Sequence, residues 1–165
     1  MKAYDVIVIG AGPAGVSAAL TLRNRGKSVG VIANPPQTTN LYKAEHITNY
    51  PGIVGSGKEL NDVFIKQLEQ SGAELISCKA LSVLPLGGSF GVSTSDDVFE
   101  ARAVVAATGI SRRPLCEGET KFLGRGVSYC ATCDGMLYRG RTVAAIGSGE
   151  EFEKDVRFLE KIGCT

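Results

Sequence analysis

Residues 4–15, YDVIVIGAGPAG, decide the fold. The first six form a short run dominated by β-branched side chains, the mark of a parallel strand buried on both faces. Gly10, Gly12 and Gly15 then fall in the pattern G-x-G-x-x-G directly after that strand. Pro13 suits the first turn of a helix predicted over residues 13–25, and Gly26 supplies its stop. Residues 28–33, SVGVIA, read as a second strand. In a strand–turn–helix–strand unit of about 30 residues, this motif points to a dinucleotide. Gly10 permits the tight turn, Gly12 lets the backbone approach a pyrophosphate, and Gly15 lets helix and strand pack closely. The helix N-terminus offers that anion free N–H groups and partial positive charge. The competing reading is a turn rich in glycine for packing alone.

The end of the second strand departs from this pattern. An acid usually stands there, on the ribose. Here the residues are Ala33 and Asn34, and no acid occurs between Asp5 and Glu45. Asn34 either hydrogen-bonds a ribose hydroxyl, more weakly than a carboxylate would, or turns the chain with Pro35.

Further along, residues 34–57 are rich in Pro, Thr, Asn and Gly. A structureless loop this long is usually functional or disordered. Ser56 and Glu59 have capping-box spacing. They open a helix with apolar positions Leu60, Val63, Phe64 and Leu68, ending near Gly72. Short strands are expected at 73–77, 80–84, 90–94 and 98–101, with a turn at 85–89. Residues 104–108, VVAAT, read as a further buried strand closed by Gly109. The polar segment 110–126 reads as an interdomain connection. Residues 142–146, TVAAI, read as another buried strand, followed by Gly147-Ser148-Gly149 and a helix to about residue 162.

The totals exclude several classes. The 165 residues are 44% hydrophobic and 21% charged, enough to bury a core without staples. The net charge of +1, with no basic run, argues against a nucleic-acid footprint. No stretch approaches the roughly 18 apolar residues that cross a bilayer. Asp5 and the glycines at 10, 12 and 15 also break the N-terminus as a signal peptide. The five cysteines form no regular framework, so a reducing, cytoplasmic setting is expected rather than a secreted, disulfide-stapled one.

Only Cys130 and Cys133 lie close together, in Ser128–Gly135, SYCATCDG. A zinc site needs four ligands, and this chain has one C-x-x-C and one histidine, His46. Two inert buried thiols are the other alternative. The spacing favours a redox pair, with one thiol activated at a helix start. Asp134 beside it suits proton transfer in thiol–disulfide exchange, although an aspartate near a turn is often only a cap. His46, Tyr50 and Tyr129 read as surface or packing residues, and Cys78, Cys116 and Cys164 as packing or incidental thiols.

Five motifs in order carry a family resemblance: GAGPAG at 10–15, NYPG at 49–52, AATG at 106–109, GRGVSYCATCDG at 124–135 and a new strand–helix unit from Thr142. On these the chain resembles the low-molecular-weight thioredoxin reductases along nearly its whole length. The resemblance implies an α/β fold. Residues 1–112 would form the N-terminal part of a Rossmann-like FAD-binding domain of three-layer ββα type. Residues 113–165 would begin a second, NAD(P)H-type domain carrying the C-x-x-C. It implies FAD on Gly10, Gly12, Pro13, Ala14 and Gly15, with Ala33, Asn34, Leu41, Asn49, Ala80, Ala107, Thr108 and Gly109 completing its site. Cys133 would face the flavin, Cys130 would attack a thioredoxin-like protein, and Asp134 would be the general acid. A homodimer with two rotating domains is implied.

Two departures stand out. At Gly147-Ser148-Gly149-Glu150-Glu151-Phe152, a phenylalanine falls where NADPH-using members place a small residue. Glu151 falls near the expected phosphate. At about 6 Å and an effective dielectric near 40, two unit charges repel by roughly 1.4 kcal/mol. With Leu137-Tyr138-Arg139-Gly140 after the C-x-x-C, the chain is most similar to ferredoxin-linked flavin thioredoxin reductases. Ferredoxin is therefore the expected electron donor, with NADPH as the alternative. The other departure is length. Family members run about twice as long and complete the FAD domain with a C-terminal segment, so a piece of a longer protein, or partial FAD binding, is expected. The remaining alternatives are an FAD-holding electron-transfer module without disulfide reductase activity and a zinc-binding interaction domain.

Overall fold

The computed structural model describes residues 1–110 and 114–165. The chain divides into two units, Met1–Ser111 and Arg112–Thr165. The expected boundary at residues 112 and 113 lies outside the described residues.

In the first unit the order is β1 (Lys2–Ile9), α1 (Pro13–Asn24), β2 (Val29–Ala33), α2 (Asn40–Lys43), α3 (Gly57–Gln70), β3 (Glu74–Ser77), β4 (Ala80–Pro85), β5 (Phe90–Thr94) and β6 (Val98–Ala106). The six strands form one sheet in the order β3-β2-β1-β6-β5-β4. β3, β2, β1 and β6 run parallel, while β5 pairs antiparallel with both β6 and β4. This is a Rossmann-like α/β sheet, extended on one side by an antiparallel meander.

Strand alternation sorts the core onto two faces. On one face Val6, Val8, Val29 and Val31 pack with Ala19 of α1 and Leu68 of α3. On the other, Ile7 and Ile32 pack with Val92 of β5 and Phe99 of β6. Tyr4 joins this second cluster by lying over Gly30, where an added Cβ would meet the ring at 3.0 Å. Each fully buried aliphatic side chain contributes roughly 1.5–3 kcal/mol. The capping box of α3 forms as its spacing implies: Ser56 N donates to Glu59 Oε2 at 2.7 Å, and Glu59 N to Ser56 Oγ at 3.2 Å. Leu60, Phe64 and Leu68 are buried in steps of four, one helical stripe. Val63 lies off that stripe and is 45% exposed, against the expected apolar face.

Three further expectations change. The separate strands expected at 98–101 and 104–108 are one strand, β6, ending at Ala106, because β1 pairs with Phe99–Ala101 and again with Ala103–Ala106 while β5 takes only its first half. Residues 34–57 are ordered rather than structureless. They contain a 3₁₀ turn at Pro36–Thr38, α2 capped by Thr39, and a two-bond bridge between Ile47 and Gly55. Residues 142–146 form no strand. Val143 donates to the Thr165 carbonyl and Thr165 to that of Arg141, but among the described residues no second strand completes a ladder, and Ile146 is 66% exposed.

The second unit holds α4 (Glu119–Phe122), α5 (Ala131–Asp134), a 3₁₀ turn at Gly135–Tyr138 and α6 (Glu150–Lys161). Gly135 is buried against α6, where an added Cβ would lie 3.1–3.2 Å from Phe158, Leu159 and Ile162. Among the described residues, no helix is long and apolar enough to cross a membrane.

Candidate functional site

The three motif glycines differ in what holds them. Gly10 has φ +111°, and an added Cβ would lie 2.2 Å from the Ala107 carbonyl oxygen. At Gly15 an added Cβ would lie 1.9 Å from the Gly10 carbonyl oxygen. Both are required by the fold itself. Gly12 is not: its φ of −77° suits any residue, and an added Cβ would meet nothing within 4 Å. The open space above Gly12 lies at the start of α1, which no side chain caps and whose first turn carries no acid. A backbone cradle open on that side fits a pyrophosphate.

The remaining cofactor candidates gather unevenly around it. Gly10 N donates to the Ile32 carbonyl and Ala107 N to that of Ile9, so Ala33, Asn34 and Ala107–Gly109 lie at the same C-terminal edge of the parallel strands. Ala80, like Ile9, packs against the second core cluster. Leu41 packs with Val16, Leu60 and Phe64 beside α1, and Gly57 is held where an added Cβ would strike the Leu41 carbonyl. Asn49 is exposed in a bend, and His46 is exposed in irregular chain just before Ile47. Tyr50 packs edge-on against Phe64, centroids 5.7 Å apart.

In the second unit, Cys130 and Cys133 form a disulfide with Cα atoms 5.3 Å apart. Cys130 is the N-cap of α5, its Sγ accepting from Cys133 N at 3.2 Å. Cys133 is exposed and Asp134 half-buried. Asp134 Oδ2 accepts from the Ser128 hydroxyl at 2.6 Å, and Ser128 Oγ accepts from Cys130 N at 3.1 Å. Of the other thiols, Cys164 is buried, with Sγ toward the Tyr138 carbonyl, Cys116 is exposed and Cys78 is half-buried. No group of three or more His, Cys, Asp or Glu side chains among the described residues is arranged to hold a metal.

Sequence reasoning assigned no role to Ser128 or Glu119. Glu119 is 8% exposed and accepts from Leu115 N at 2.6 Å, Cys116 N at 2.9 Å and the Tyr129 hydroxyl at 2.5 Å. The Tyr129 hydroxyl first, then the two N–H groups, hold its carboxyl below the ordinary carboxylate range against the opposing effect of burial. This anchors the segment just before Cys130. The signal available in sequence was only proximity to the C-x-x-C.

At the second glycine loop, α6 begins with three acids in its first turn, Glu150, Glu151 and Glu153. The Phe152 ring lies over Gly147, where an added Cβ would be 2.4 Å from Cδ2. Both features oppose an anion: the ring fills the space and the acids engage the helix dipole.

Residues 4–150 match the family described as pyridine nucleotide-disulphide oxidoreductase. A thioredoxin reductase of Aquifex aeolicus is 37% identical over 98% of this chain and 52% of its own length. The thioredoxin reductase structure from Streptococcus pyogenes superposes with a TM-score of 0.82 at 32% identity, covering 98% of this chain and 53% of that one. A ferredoxin-flavin thioredoxin reductase from Clostridium acetobutylicum gives 0.62 at 36% identity, covering 99% and 57%. The chain thus spans about half the length of the relatives it matches.

Proposed function

The chain belongs to the pyridine nucleotide-disulphide oxidoreductase family, and from that premise we propose that it carries the flavin-binding and disulfide parts of a thioredoxin-disulfide reductase. The observation that carries this reading is the Cys130–Cys133 disulfide at the start of α5, in a chain whose other unit keeps open space above Gly12. Residues 1–112 belong to the FAD domain and 113–165 to the second domain. Gly10, Gly12, Pro13, Ala14 and Gly15 hold the pyrophosphate of FAD. Ala33, Asn34 and Leu41 flank its ribose side, and Asn49, Ala80 and Ala107–Gly109 line the remainder. When bound, FAD supplies the electron pair that opens the Cys130–Cys133 disulfide.

The chain's own residues perform the exchange. In the reduced pair, the Cys130 thiolate attacks one sulfur of a thioredoxin-like protein's disulfide. A mixed disulfide forms and the partner's other sulfur leaves, taking a proton from Asp134. The Cys133 thiolate then displaces the second partner sulfur, which takes its proton from solvent, and the Cys130–Cys133 bond reforms. The partner gains two electrons and two protons. Cys130 is the better nucleophile because its sulfur already accepts the Cys133 N–H at the helix start.

The donor we favour is a ferredoxin. Phe152 over Gly147 and the three acids of the first turn of α6 support it, as does the likeness to a ferredoxin-flavin thioredoxin reductase. The retained Gly147 and Gly149 and the family description support the NADPH alternative. A cytoplasmic homodimer completes the reading. The test mixes the flavin-loaded protein with NADPH, NADH or reduced ferredoxin in a stopped-flow instrument, then adds oxidised thioredoxin. Ferredoxin is expected to bleach the flavin and thioredoxin to restore it, and Cys130→Ser is expected to abolish restoration. A colourless protein that cannot be reconstituted with FAD would end the reading. A flavin that still cycles with thioredoxin after both cysteines are replaced would leave only an electron-transfer module.

A further inference from the structure

We propose that Ser128 is the positioning residue for the proton-donating carboxyl of Asp134, matched to both of its protonation states; this rests on the disulfide-reductase reading. The half-buried Ser128 hydroxyl sits among three groups: Asp134 Oδ2 at 2.6 Å, Cys130 N at 3.1 Å and the Cys130 carbonyl oxygen at 3.3 Å. A hydroxyl has one proton and two lone pairs. While Asp134 is ionised, the hydroxyl donates to it and accepts from Cys130 N–H. When Asp134 carries its proton, Asp134 donates to Ser128 Oγ, which still accepts from Cys130 N–H. The serine proton then turns to the Cys130 carbonyl. The serine proton and the bond from Cys130 N–H are thus used in both states, the second lone pair is engaged when Asp134 is protonated, and the carboxyl stays beside the cysteine pair throughout. The link also ties the acid to the backbone of the attacking cysteine, so the two move together.

The role predicts a dependence on the leaving group. A departing thiolate of low pKa needs no proton, whereas an alkyl thiolate does. The reduced, desalted full chain is therefore mixed with hydroxyethyl disulfide, an alkyl substrate, or with dithiobis-nitrobenzoate, which releases a stable aromatic thiolate. The readout is the Cys130–Cys133 disulfide, measured by mass spectrometry after alkylating quench, so the exposed Cys116 does not contribute. Ser128→Ala is expected to slow the alkyl reaction about tenfold, a fraction of what a general acid contributes, and the aromatic reaction less than about twofold. Asp134→Asn should show the same selectivity more strongly, and Ser128→Ala should add little in its presence. Ser128→Thr, which keeps the hydroxyl, should restore the alkyl rate. Equal slowing of both probes by Ser128→Ala, or no slowing of either, overturns the proposal while the reductase reading stands. A wild-type chain whose Cys130–Cys133 pair reacts with both probes no faster than free dithiothreitol overturns both.

Discussion

Gly12 and Gly15 stand three residues apart in one motif, and the structure gives them opposite sensitivities to a single methyl group. At Gly15 the added Cβ would sit 1.9 Å from the Gly10 carbonyl oxygen, more than 1 Å inside the closest approach that real side chains make. The obstacle is backbone, which cannot swing aside, so α1 must lift from β1. Overpacking of this kind costs about 1–3 kcal/mol, and here the upper end applies. For a chain of this size, that lowers the unfolding midpoint by roughly 6–12 °C. At Gly12 the methyl meets nothing, and the backbone conformation is ordinary. Alanine is a poorer N-cap than glycine by several tenths of a kcal/mol, but restricting the unfolded chain returns about 0.4–1 kcal/mol. The two nearly cancel, and Gly12→Ala should unfold within about 0.5 kcal/mol of the wild type. Its penalty falls on the ligand, because the methyl occupies the approach to the backbone amides. Losing one charge-assisted contact of about 1.5–3 kcal/mol weakens FAD roughly tenfold to a hundredfold. Urea unfolding of the flavin-free protein by circular dichroism, with flavin-fluorescence titration, separates the effects. If Gly12→Ala destabilises as much as Gly15→Ala, or binds FAD as tightly as wild type, the space above Gly12 has been misassigned.

Ser56→Ala removes one half of the capping box and should cost about 1 kcal/mol, seen as a fall of roughly 2–4 °C in thermal unfolding. Leu68→Ala empties a fully buried position between α3 and the sheet and should cost about 2–5 kcal/mol, with a matching drop in urea midpoint. Glu119 has a folded pKa below its ordinary value of 4.5. Its contribution is therefore present above that value and lost as the pH falls through the lower folded one. Unfolding midpoints from pH 7 down to 3 should drop less steeply in Glu119→Gln than in the wild type, and a parallel drop would contradict the assignment.

The parts of the fold legible in sequence were those whose physics is local. The β1–α1–β2 unit follows from a β-branched run, a proline and glycines at fixed spacing. The capping box of α3 needs only residues three apart, and the cysteine pair closes a ring of neighbouring residues. The misses share a different cause. Residues 104–108 read as a separate strand from 98–101, yet the ladder with β1 skips only Arg102 and resumes at Ala103, joining the two. Residues 142–146 have the composition of a buried strand, but composition supplies no partner. Val63 is apolar but lies off the buried stripe.

By itself, then, the sequence determined where a dinucleotide loop begins, which thiols can pair and that the fold is α/β, because turn geometry, capping and ring closure act over a few residues. Only the tertiary structure named the atoms behind the glycine pattern: the Ala107 carbonyl against Gly10, the Gly10 carbonyl against Gly15, and open space at Gly12. It alone joined Ser128 to Asp134 and Glu119 to Tyr129. Those facts depend on which backbone carbonyl, hydroxyl or carboxylate arrives within about 3 Å from elsewhere in the chain, and no local pattern encodes an arrival.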